Sequence, residues 1–172
     1  MLSKIITVGG ALLLALKISD TINEWQKMSR KRERFLSDIQ INAKRYDVSP
    51  FVLSALIWKE SKFMPDAIGG AGEVGLGQTR TIALDDLKTN YTHFPNVDIT
   101  DVAADPSLQI EAAAAYLRLQ TRRMGNIFDG LRAYNAGQAG ASNPSVSINY
   151  AVDIMTMAGA DWALSIFGGG NV

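Results

Sequence analysis

Few residues in this chain are equipped for bond-making chemistry. Cysteine is absent and histidine occurs once, as His93 in a polar stretch. A zinc site and a nucleophilic triad of the Ser-His or Cys-His kind are therefore disfavoured. Carboxylates remain, and past residue 44 the glutamates are Glu60, Glu73 and Glu111. Glu60 closes the stretch FVLSALIWKE, where Leu53, Leu56, Ile57 and Glu60 recur at helical spacing. This spacing predicts a carboxylate at the end of an apolar stripe, with Lys59 and Lys62 directed elsewhere. Burial disfavours the charged form, so a glutamate there holds its proton nearer neutral pH, as a general acid must. The same spacing also fits a helix-end glutamate that reaches into solvent. On the pattern alone both readings stand.

The residues that follow, Gly69 to Gln78, read GGAGEVGLGQ and are dominated by glycine. Gly70, Gly72 and Gly75 satisfy G-x-G-x-x-G, but that phosphate-binding pattern must leave a strand and open a helix. Here it follows a helix, and the β-branched runs of a parallel sheet are missing. No Gly-Lys-Ser/Thr follows either, so a nucleotide site is not expected and no cofactor is called for.

The elements that must position these groups are helices. Ser49 and Pro50 suit the cap and first position of the helix carrying Glu60. Upstream, Asp20 to about Tyr46 has helical periodicity. Downstream, a short helix is expected over Thr81 to Leu87, then a polar loop. Asp105-Pro106 opens a helix through IEAAAAYLRLQTRRM to about Met124, and Gly125 ends it. A helix from Ile127 to Ala136 is expected to stop at Gly137, and a last one to cover about Ser147 to Phe167 before the glycine tail. No convincing strand is present.

Charge is unevenly spread along the 172 residues: residues 1–62 carry a net +5 and the remainder a net −5. The apolar run Ile5 to Leu16 has twelve residues. That is short of the ~20 needed to span a bilayer. It fits a retained signal-anchor or an interfacial helix, with an oligomerisation helix as the alternative. Lys27, Arg30, Lys31, Arg32 and Arg34 follow it, as expected of a segment that meets anionic lipid. A solvated helix face is the competing reading. Nucleic acid is not expected, since no aromatic platform or DNA-reading pattern accompanies the basic cluster.

Three separated pieces then coincide with one family. Glu60-Ser61, Gly75-Leu76-Gly77-Gln78 and Ala133-Tyr134-Asn135-Ala136-Gly137 resemble the Glu-Ser, Gly-Leu-Met-Gln and Ala-Tyr-Asn-Ala-Gly motifs of the lytic transglycosylases related to goose-type lysozyme. Tyr150 falls where that family carries a late tyrosine. The resemblance covers about residues 45 to 160 and implies an all-α, lysozyme-like domain with an N-terminal helical extension. It implies peptidoglycan glycan strands as substrate and Glu60 as sole catalytic acid and base. Ser61 would hydrogen-bond the substrate or orient Glu60, Gln78 and Asn135 would bind sugar or brace the cleft, and Tyr134 and Tyr150 would put aromatic faces and hydroxyls against the glycan. Metal ligands are not part of it.

Two departures from the family pattern carry expectations of their own. Glycine at Gly77 replaces the usual methionine, which would widen the cleft floor. Glu73 is an extra carboxylate that either modulates the acid or faces water, the second being the expectation, and Glu111 is expected at the surface of its helix. Trp25, Trp58 and Trp162 read as core or interface residues. The expected organisation is an N-terminal contact segment (1–44), a transglycosylase domain (45–167) and a glycine-rich tail (168–172). Location at the bacterial cell envelope or in a phage virion is expected, with membrane or oligomeric contact through residues 1–44. A goose-type lysozyme, or a catalytically silent glycan-binding protein of the same fold, is the alternative.

Overall fold

The computed structural model describes residues 19–167. The apolar run Ile5 to Leu16 and the tail 168–172 lie outside the described residues, so the expectations that fall on them are not addressed by it. Helix α1 covers 19–32. A 3-10 turn, Glu33–Phe35, leads into α2, Leu36–Arg45. Then come α3 (Pro50–Ser61), α4 (Thr81–Asn90), α5 (Ile99–Ala104), α6 (Pro106–Met124), α7 (Ile127–Ala141) and α8 (Ile148–Phe167). Among the described residues there is no strand; two isolated bridges, Ile68 with Val74 and Val74 with Thr79, pin the glycine-rich segment.

Helix α3 starts as its sequence dictates. Ser49 is extended, its hydroxyl accepts from the Val52 N–H, and Pro50 occupies the first turn. It differs from expectation in having little free face: every residue from Val52 to Trp58 is buried. An all-round apolar helix belongs inside a fold. Only near its end, at Lys59 and Glu60, does it return towards solvent. The helix then stops at Lys62, which is left-handed, as is Phe63.

Helix α6 lies beside it in the core. Ala112, Ala113, Ala114 and Ala115 are all fully buried, and their small side chains let α2, α4, α5 and α7 approach from several sides. Helix α8 closes the bundle against α3 and α7. The helices on the two sides of residue 44 share one core, since Met28, Phe35, Ile39 and Ala43 belong to the same buried cluster as Leu53, Leu56 and Leu117. Helix α1 is further tied to α8 by Asp161, which accepts from Trp25 Nε1 at 2.7 Å and pairs with Arg32. Of the three tryptophans, Trp58 is buried, Trp25 is partly buried and Trp162 is about half exposed.

Gly137 does not end α7: the chain kinks there, at φ 71° and ψ 166°, and the helix resumes to Ala141. Glycine tolerates that conformation where other residues would be strained. The polar loop before α6 contains an additional helix, α5, started by a reciprocal cap between Asp98 and Asp101.

Candidate active site

The site is assembled where the end of α3, the glycine-rich turn, the middle of α7 and the start of α8 converge. Glu60 sits in the last turn of α3, largely but not wholly removed from solvent. The hydroxyl of Tyr150 donates to its Oε1. Burial raises the Glu60 carboxyl above its ordinary value of 4.5, the Tyr150 hydrogen bond pulls it back, the charge of Glu73 raises it and Lys59 lowers it. The outcome is a rise. Lys59 has its own carboxylate partner, Asp153, at 2.7 Å.

The turn Gly75–Gln78 is fixed from behind. Gly75 has φ 70°, and a Cβ there would fall 2.2 Å from the amide carbon of Gln109, so only glycine fits. Gln109 is fully buried; its Oε1 accepts from the Leu76 N–H at 2.9 Å and its Nε2 donates to the carbonyls of Pro65 and Ala103. Ser61 completes the clamp from α3. Its hydroxyl is buried and lies 2.8 Å from the Leu76 carbonyl and 3.2 Å from that of Ile57. Ser61 therefore joins the helix that carries Glu60 to the turn.

Gln78 and Asn135 also have internal partners. Nε2 of Gln78 donates to the Gly75 carbonyl at 2.9 Å, and Nδ2 of Asn135 to the Ser147 hydroxyl at 2.6 Å. Tyr134 donates to the Gly77 carbonyl at 2.7 Å and stacks edge-on with Tyr116. Burial raises both the Tyr134 and Tyr150 phenols well above their ordinary range, with the nearby Glu60 charge acting in the same direction, so both stay protonated donors. Gln78, Tyr134 and Asn135 line one cavity of about 360 Å³ between α4, α6 and α7. Glu60 is not in its wall. Its charge nonetheless acts on the Tyr134 phenol.

Two expectations need correction. Gly77 does not widen the cleft floor: a Cβ there would meet Ala113 Cβ at 2.6 Å and the Tyr134 hydroxyl at 3.1 Å, so the space is already filled. Glu73 is not simply turned to water. Its Oε2 accepts from the Ala71 N–H at 2.9 Å, its Oε1 is 3.7 Å from Arg80, and its charge is felt by Glu60. Glu111 sits partly exposed on α6, as expected, held by Arg45, by the Tyr46 hydroxyl at 2.9 Å and by His93 at 3.3 Å.

Arg132 is a supporting residue that the sequence reading missed. It is buried, and it donates to the carbonyls of Val146, Ala141 and Asn143 while pairing with Asp129 at 2.6 Å. It thereby fixes the connection that delivers Ser147 and Tyr150. An arginine between Leu131 and Ala133, two buried positions, was its sequence signal. For Gln109 the signal was its register with Ala112 and Ala113 on the buried face of α6.

The all-α architecture is lysozyme-like, and in it Glu60 is a partly buried carboxyl whose pKa burial raises. The family described as the Transglycosylase SLT domain matches residues 37–154. The chain belongs to that family. It is 29% identical over 92 residues to the X polypeptide of Escherichia coli strain K12, and equally to an X polypeptide from another E. coli source. The aligned region is 54% of this chain and 54% of each relative, so the chain spans about half the length of the curated relatives it matches. Among solved structures, an inactive mutant of the lytic transglycosylase Slt from Pseudomonas aeruginosa superposes with a TM-score of 0.66 at 20% identity. That likeness covers 76% of this chain and 24% of the other, and it concerns the fold.

Proposed function

We propose that this protein is a peptidoglycan lytic transglycosylase working with Glu60 as its only acid and base. The observation that carries the reading is the Glu60 carboxyl, desolvated at the end of α3 and engaged by Tyr150. Family membership supports the substrate class. Most glycosidases need two carboxylates about the scissile bond. Here the other nearby carboxylate, Glu73, is held by Ala71 and Arg80.

Protonated Glu60 gives its proton to the oxygen linking C1 of N-acetylmuramic acid to C4 of N-acetylglucosamine, and the C1–O bond breaks. The muramoyl acetamido oxygen stabilises the positive charge at C1. The sugar's own C6 hydroxyl then attacks C1 and passes its proton back to Glu60. The product is a 1,6-anhydro ring, the acid is regenerated and no water is consumed. Holding the nucleophile in the same sugar avoids the entropic cost of positioning a water. Tyr150 orients the carboxyl, Tyr134 and Ser61 hold the turn beside it, and Gln78 and Asn135 form the wall along which the glycan lies.

Its substrate would place the protein at the bacterial envelope, where local wall opening is the natural use. Arg30, Lys31 and Arg34, which share one surface hollow with Glu33, Phe63 and Met64, support contact of the N-terminal region with an anionic surface. Product analysis of digested sacculi tests the reaction, because anhydro-muropeptides and reducing-end muropeptides differ by one water. Reducing ends would favour a lysozyme.

A further inference from the structure

Helix α1 and the second half of α8 lie outside residues 37–154, the region that matches the family, yet they meet in a buried polar contact. Asp161 of α8 is 1% exposed; it accepts from Trp25 Nε1 at 2.7 Å and pairs with Arg32, both on α1. Met28 is the only residue of α1 that is buried. Apolar packing alone therefore holds α1 thinly, and the Asp161 cluster fixes how it sits on α8. The same carboxylate shares a helix face with Tyr150. Eleven residues separate the two. That is about 17 Å along the axis and a rotation of only about 20°. Ile154 and Met157, which pack on the core, lie between them on that side. Apolar side chains tolerate a small slide or turn of a helix. A buried ion pair does not, because displacement strands a charge.

We propose that Asp161 is a positioning residue for the reaction: with Trp25 and Arg32 it fixes the rotation and height of α8, and so keeps the Tyr150 hydroxyl on Glu60. The assignment rests on the transglycosylase reading and adds to it the device that aligns the acid. Helix α1 is then part of the catalytic unit and not a detachable lead to it. The route is short and rigid. Asp161 sets the far end of α8, the helix carries that setting through its packed inner face, and Tyr150 delivers it to the Glu60 carboxyl. Glu73 from the glycine-rich turn, Tyr134 from α7, and Lys59 of α3 with its partner Asp153 act on or beside the same carboxyl. Tyr150→Phe leaves all of them in place, so its pH profile is the reference for a lost Tyr150 contact.

The test is the kinetics of glycan-strand cleavage by the full chain carrying Asp161→Asn, Tyr150→Phe or both. Asp161→Asn should lower kcat about 10-fold, the scale of a sub-ångström misplacement, with KM nearly unchanged. Its alkaline limb of kcat/KM should move to higher pH, towards that of Tyr150→Phe. Added to Tyr150→Phe, it should cost no further activity, because the contact it protects is already gone. Trp25→Phe keeps the ring and the ion pair but loses the N–H, and should shift the same readouts in the same direction by less. It carries the test if Asp161→Asn does not fold. A lowered melting temperature with the limb unmoved, or losses that multiply in the double variant, would overturn the positioning role alone. A wild type that cleaves no glycan strand would overturn the transglycosylase reading and the positioning role with it.

Discussion

The phenol of Tyr150 donates to Oε1 of Glu60, joining the start of α8 to the end of α3 across 90 positions of sequence. This contact stabilises the ionised carboxylate, opposing the burial that favours the acid. Replacing Tyr150 with Phe should therefore raise the Glu60 pKa further. In the proposed reaction the alkaline limb of kcat/KM reports loss of the Glu60 proton, and it should move to higher pH. Its maximum should fall about 10- to 100-fold, because the carboxyl loses its orienting partner. A pH–rate profile checks both effects together.

Glu73 acts on the same proton in the opposite sense. Its negative charge raises the Glu60 pKa, so Glu73→Gln should lower it and bring the alkaline limb to lower pH. Glutamine still offers an oxygen to the Ala71 N–H, so the turn should hold its shape. Comparing the two pH profiles is informative: the Tyr150 and Glu73 variants should shift in opposite directions from the wild type.

Ser61 is predicted to matter for stability more than for substrate contact. Its hydroxyl serves the buried Leu76 carbonyl. Ser61→Ala should cost about 1–3 kcal/mol of unfolding free energy, the usual penalty for stranding a buried polar group. Urea denaturation measures it, and the glycan products should be unchanged in kind.

Gly77 is predicted to tolerate no side chain. In Gly77→Ala the new methyl would be driven against Ala113 and the Tyr134 hydroxyl. Overpacking of that kind costs about 1–3 kcal/mol. Gly70 has open space around its Cβ position and makes the natural control. Gly70→Ala should leave the melting temperature nearly unchanged.

Local chemistry explains which parts were legible from sequence. The Ser49-Pro50 and Asp105-Pro106 starts act through their own backbone neighbours, so their helices were readable. Glu60 was readable as the polar end of an apolar stripe, and the family motifs linked it to Tyr134, Asn135 and Tyr150. What escaped depends on contacts between distant segments. Gln109 holding Leu76, Arg132 gathering the carbonyls before α8, and Ala113 filling the space at Gly77 are settled only by packing. Helix α5 is different: its cap, Asp98 with Asp101, is local, but only six residues follow it and no apolar period can develop. Gly137 carried the signal of a helix end, and the chain used it to bend α7.

The most direct measurement is mass spectrometry of the muropeptides released from purified sacculi by the wild type and by Glu60→Gln. The wild type should release 1,6-anhydro-muropeptides. Glu60→Gln should fold with nearly the same melting temperature and release at least about 100-fold less, the scale of losing a general acid. Reducing-end muropeptides from the wild type, or undiminished anhydro products from Glu60→Gln, would contradict a single-carboxyl transglycosylase.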